Sequence, residues 1–184
     1  MADGNLELDL TRSHPVSPGG IGYYVTAARV CLDRHHQSPI DFEVTLEAGA
    51  DAAYTTQWER SSDADRRLHA DATDATEHGA YCVALAAAYS HLGRMALRRT
   101  NKGTGADWWL VPIGADVSGP PEYDLDRDDI VKLEVSGTDL DSPNEVRRRL
   151  AKKVDQVRTG RVPVAEQYAA VVGFPTREVR FEKV

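Results

Sequence analysis

The stretch from Asp71 to Gly93, DATDATEHGAYCVALAAAYSHLG, constrains the fold more than any other. It reads as one long helix, with Asp71 or Thr73 as the N-cap and Gly93 as the C-terminal stop. A strand follows at once, RMALRRT, then a glycine turn, NKGTG, then a returning strand, ADWWLVP. IVKLEVSGT is a further strand. SPNEVRRRLAKKVDQVRTG is a second helix, capped by Ser142, with Pro143 in its first turn and Gly160 at its end. QYAAVVGF and REVRFEKV are the final strands, with Pro175 and Thr176 at the turn between them. The order helix, hairpin, strand, helix, strand, strand predicts a mixed α/β fold (an α+β mixed sheet).

Upstream, LELDL is a short segment and SPGGIG reads as a turn. YYVTAARVCLDRHH spaces Tyr24, Ala27, Ala28 and Cys31 as one helix face. IDFEVTLEA alternates, with Ile40, Phe42, Val44 and Leu46 on one side, as a half-buried strand does. AAYTTQWER is its expected hairpin partner. The polar stretch ERSSDADRRLHADA separates two parts of different texture. The expected division is an N-terminal extension over residues 1–60, packed on the core sheet, and a core over 61–184.

The chain has 184 residues, 41% of them hydrophobic and 28% charged, which is the composition of a soluble globular protein. Its net charge of −7 excludes a protein whose whole surface binds nucleic acid, but not a local basic groove. Cys31 and Cys82 lie in apolar helical runs and read as buried thiols, and no CxxC pair suggests zinc. No signal-peptide pattern opens the sequence, and no apolar run approaches the ~20 residues that span a membrane. A cytoplasmic protein with no membrane partner is expected.

Asp107 poses the chemical question. It sits between a glycine turn and two tryptophans, where a carboxylate needs a partner, a metal or a route to solvent. Glu134 lies on the following strand, 134 − 107 = 27 residues on. Neighbouring strands run about 4.8 Å apart, so two facing carboxylates can share one Mg²⁺ or Mn²⁺. Strand alternation places Asp107 with Trp109, and Lys132, Glu134 and Ser136 on one polar strip. Lys132, Lys152 or Lys153 can supply positive charge to a phosphoryl group, and Gln156 follows Lys153 by one helical turn. Glu77 is a third acid near the start of the long helix, with His78 beside it as an outer partner. Each feature has an ordinary explanation as well. Asp107 can cap the glycine turn, Glu134 can join a cross-strand ion pair, and Glu77 suits the helix dipole. The run RRRLAKK can be a solvated basic face. Trp108 and Trp109 read as packing groups.

A helix Glu, an Asp after a glycine turn, ExS on the next strand, and Lys and Gln on a helix resemble the PD-(D/E)xK phosphodiesterase superfamily. More closely, TEHGAY, KGTGADWWL, LEVSGT and the KxxQ of Lys153 to Gln156 resemble a bacterial family. That family carries EwGAY, KGTGfDYWL, LEVSGI and KlkQ blocks in the same order. The likeness runs from about Thr73 to the C-terminus. It implies a restriction-endonuclease-like core and a metal-dependent nuclease, acting on DNA rather than RNA, in a bacterial defence or mobile-element system. It implies Asp107, Glu134 and Glu77 as ligands of Mg²⁺ or Mn²⁺, and Lys153 and Gln156 as the remaining catalytic groups. Lys102, Arg148, Arg149 and Lys152 would contact nucleic acid. A homodimer, or a protein partner from the same operon, would accompany it. Two positions depart from the superfamily pattern: Ser136 stands where its lysine usually is, and Ala106 stands for its proline. The alternative is a non-catalytic subunit of a larger complex on the same fold, which Ser136 and the net charge of −7 favour.

Overall fold

In the computed structural model the described residues are 4–47, 49, 51–101, 103–160 and 164–184. They form four α-helices and one mixed sheet of eight strands. Ser17 precedes Pro18, whose fixed φ suits a first helical turn, and α1 runs Pro18–His35. SPGGIG, expected as a turn, therefore opens this helix instead. LELDL is not a strand: β1 is only Gly4–Asn5, and Leu6, Leu8 and Leu10 are buried beyond it in irregular chain and a 3₁₀ turn at Leu10–Arg12. β2 (Ile40–Leu46) and β3 (Ala52–Thr56) pair antiparallel, with Phe42 and Val44 sealed inside.

The polar stretch between the two parts contains a helix the sequence does not announce, α2 (Asp63–Leu68), closed by a capping box of Ser62 and Asp65. None of its residues is buried, so no apolar period marks it. Helix α3 spans Ala72–Leu92. Asp71 is its cap, accepting from the Thr73 and Asp74 amides, and Gly93 ends it at φ +65°. There follow β4 (Arg94–Arg99), β5 (Trp108–Pro112), β6 (Val131–Thr138), α4 (Pro143–Arg158), β7 (Glu166–Gly173) and β8 (Glu178–Lys183).

The strand order is β1-β3-β2-β8-β7-β6-β5-β4. The pairs β1/β3, β2/β8 and β6/β7 are parallel and the others antiparallel. Alternate residues of β7 show the layering. Ala170 and Val172 pack into the core shared with α1 and α3, and Ala169 and Val171 pack against Val146, Leu150, Val154 and Val157 of α4. Trp108 belongs to the α1/α3 side, and Trp109 packs with Met95, Leu97, Val111 and Ile130. Both cysteines are buried free thiols. Among the described residues no helix is long and apolar enough to cross a membrane.

Beside the outermost strand, His14 is 4% exposed and its Nδ1 accepts the Ala96 amide at 2.7 Å. Burial lowers its pKa from 6.5 to about 4. The unfolded chain therefore binds this proton at a higher pH than the folded one. The contribution is full above 6.5 and is lost as pH falls toward about 4. It amounts to roughly 3 kcal/mol. Urea-unfolding midpoints should fall across that window, and less steeply in His14→Gln. Equal slopes in the two proteins would show that His14 is not the titrating group.

Candidate active site

The turn that leads into β5 brings Asp107 to the side of β6. Gly103 and Gly105 hold φ +88° and +73°, values that favour glycine. The turn also lies hard against the end of α4: a Cβ on Gly105 would sit 2.7 Å from the Gly160 Cα, and one on Gly160 would meet the Thr104 carbonyl. This approach brings the last turns of α4 beside Asp107.

Asp107 is one residue ahead of β5, so strand alternation does not set its direction. Its Oδ2 accepts the Val135 amide at 2.9 Å, and its Oδ1 accepts the Tyr81 hydroxyl at 3.0 Å. It thus reaches α3 and does not share the surroundings of Trp109. The same hydroxyl lies 3.0 Å from Glu77 Oε1. With a single proton, Tyr81 can serve only one of the two carboxylates fully at a time. Glu77 is held one hydroxyl away from Asp107.

Glu134 is 2% exposed, so the strip it occupies is a covered face rather than a polar surface. Lys153, from α4, donates to Glu134 Oε1 at 2.5 Å and to Gln156 Oε1 at 3.3 Å. Burial first, and then the charge of Asp107, pushes the Glu134 carboxyl up to about 7, while Lys153 acts in the opposite sense. Two acids and a lysine thus converge at one end of the sheet, between the helix layers.

Two cavities meet there. The larger, about 410 Å³, is lined by Glu77, Tyr81, Ser136, Arg149 and Lys153 among others. The smaller, about 230 Å³, is lined by Arg99, Asn101, Glu134 and Gln156 among others. Asp107 borders both.

Other expected residues fall elsewhere. Lys132 is fully buried, with Gln167 Oε1 3.4 Å from its ammonium, and it lines neither cavity. Burial lowers its pKa. Arg148 and Arg149 both bind Glu145, at 2.7 Å. Lys152 is exposed on α4. Lys102 lies outside the described residues. His78 stacks at 5.8 Å on Tyr24 and meets Tyr23 and Tyr81 edge-on.

Tyr81 and Arg99 escape a reading of the sequence. Tyr81 closes the TEHGAY block and opens into the apolar run AYCVALAAA, and its spacing of four from Glu77 marks a shared helix face, but neither signal gives its hydroxyl a role. Arg99 ends β4 with its guanidinium 4.4 Å from the Tyr81 ring centroid and 5.0 Å from that of Trp108, and no motif points to it. Among the described residues no three His, Cys, Asp or Glu side chains gather at one point. Comparison with protein families, curated proteins and solved structures finds no match.

Proposed function

We propose that the protein is a metal-dependent nuclease that hydrolyses phosphodiester bonds, in DNA rather than RNA, on a restriction-endonuclease-like core of the PD-(D/E)xK kind. One observation carries the reading: Lys153 reaches from α4 to Glu134, beside Asp107, so an acid, acid, lysine set exists although Ser136 stands at the usual lysine position. The order α3, β4–β5 hairpin, β6, α4, β7 and β8 supports the same core.

The residues fit a divalent cation. Glu134 lies near enough to Asp107 for the aspartate charge to oppose its ionisation, which makes the pair a natural seat for positive charge, and two protein oxygens suit Mg²⁺, which keeps much of its water. Asp107 and Glu134 would hold it, with Glu77 acting through Tyr81. When bound, the ion supplies Lewis acidity at a phosphoryl oxygen and acidifies a water. Lys153 adds charge beside the reacting phosphate, and Gln156 orients its ammonium.

Calorimetry and plasmid nicking test the proposal. The cation must displace the proton that Glu134 holds below about 7, so Mg²⁺ affinity should rise as pH climbs through that value, with proton release on binding. Plasmid should be nicked in Mg²⁺ and left intact in EDTA. An affinity independent of pH would remove Glu134 from the cation site. Neither binding nor nicking would favour the second reading, a non-catalytic subunit, to which the absence of a third converging acid among the described residues already gives some weight.

A further inference from the structure

We infer that Arg99 is the residue of this site that binds a phosphate oxygen of the substrate chain, in the cavity that Lys153 does not line. The inference rests on the nuclease reading and adds a residue that reading does not use.

The guanidinium of Arg99 lies over two aromatic rings that meet edge to face, 4.4 Å from the Tyr81 centroid and 5.0 Å from the Trp108 centroid. It is not sealed, because its side chain is 43% exposed. Ring faces hold the plane of a guanidinium and leave N–H groups at its edge for an anion. Its nearest carboxylate oxygen, Asp107 Oδ1, is 3.7 Å away, longer than a hydrogen bond, and that oxygen already accepts Tyr81. Arg99 shares a hydrogen bond with the Tyr81 hydroxyl, which leaves its other N–H groups for an anion, whereas Arg148 and Arg149 both bind the Glu145 carboxylate at 2.7 Å.

Position completes the argument. Arg99 lines the smaller cavity with Asn101, Gly105, Glu134 and Gln156, whereas Lys153 and Arg149 line the larger. Among the described residues Asp107 alone borders both. A phosphodiester chain crossing Asp107 has a phosphate on either side. Lys153 meets one and Arg99 the other, and a guanidinium can grip a phosphate through two N–H groups.

The test compares the wild type with Arg99→Ala, Arg99→Lys and, as a control for net charge, Arg67→Ala on α2. Binding of a fluorescein-labelled DNA duplex is followed in Ca²⁺, which replaces Mg²⁺ to prevent cleavage. Mg²⁺ binding is measured separately by calorimetry. Arg99→Ala should weaken DNA binding about tenfold and lower the salt slope by about 1. It should leave Mg²⁺ affinity unchanged or tighter, because a positive charge beside Asp107 has gone. Arg99→Lys should restore the slope but only part of the affinity.

Arg99→Ala binding DNA as the wild type does would overturn the inference and leave the nuclease reading standing. Joint loss of Mg²⁺ and DNA binding would also overturn it, since Arg99 would then act through Asp107. An equal loss in Arg67→Ala would reduce the effect to general charge. A wild-type protein that binds no DNA would end both readings.

Discussion

Asp107→Asn should abolish divalent-cation binding and phosphodiester cleavage in a protein that stays folded. The asparagine is nearly the same shape. Its carbonyl can keep the Val135 amide now bound at 2.9 Å, and its NH₂ can donate to the Tyr81 hydroxyl, whose proton then turns to Glu77. No buried donor is orphaned, so stability should change by less than about 1 kcal/mol. Alanine at the same place would strand the Val135 amide at a cost of about 1–3 kcal/mol, which makes it the poorer probe. The chemical change is the lost charge. Cation affinity should fall by more than about a hundredfold, beyond the loss expected from removing a mere supporting partner. The Glu134 carboxyl should ionise more readily, because the charge of Asp107 is one of the causes that raise it. Calorimetry, circular dichroism and plasmid nicking on the same samples decide the matter. A folded variant that still binds Mg²⁺ and still cuts would exclude Asp107 from the site.

Gly137→Ala should damage both the fold and the site. Gly137 lies on β6, three residues beyond Glu134, where α3 crosses closest. A Cβ there would stand 2.5 Å from the Thr76 carbonyl oxygen and 2.9 Å from the Ala80 Cβ. The first is helix backbone and cannot swing aside, so α3 must move off the sheet. Overpacking of this kind costs about 1–3 kcal/mol, which is roughly 2–12 °C of melting temperature for a chain of this size. The same movement carries Glu77 and Tyr81 away from Asp107, so Mg²⁺ affinity should fall as well. Gly119→Ala is the matched control, since nothing lies within 4 Å of its added carbon. Similar melting temperatures for the two variants would show that the close approach at Gly137 is not needed.

Much of the frame is legible because its signals are local. Asp71 and Gly93 mark the ends of α3, and Ser142 and Pro143 the start of α4, through bonds made within one turn. The alternation of Phe42 and Val44 marks β2 for the same reason. What escapes is whatever depends on distant chain. Helix α2 buries nothing and leaves no period to read. The start of α1 hides in a Pro-Gly-Gly run that serves a turn equally well. Alternation puts Lys132 and Glu134 on one strip, yet that strip is covered, so Lys132 is enclosed beside Gln167 while Glu134 meets Lys153 of α4. The likeness in the sequence marks Asp107, Glu134 and Lys153. Its TEHGAY block contains Tyr81 but gives it no role, because the ring is core while the hydroxyl lies between two acids.

The parallel pairing of β2 with β8 sets an order of events in synthesis. Its register joins Glu43 to Glu178, 178 − 43 = 135 residues apart. On a ribosome, the N-terminal hairpin emerges early and has no neighbour on that side until β8, the last described strand, has been made. Contacts this far apart in sequence close slowly, and an unpaired strand invites wrong partners while it waits. β8 acts as a latch that joins the early hairpin to the rest of the sheet.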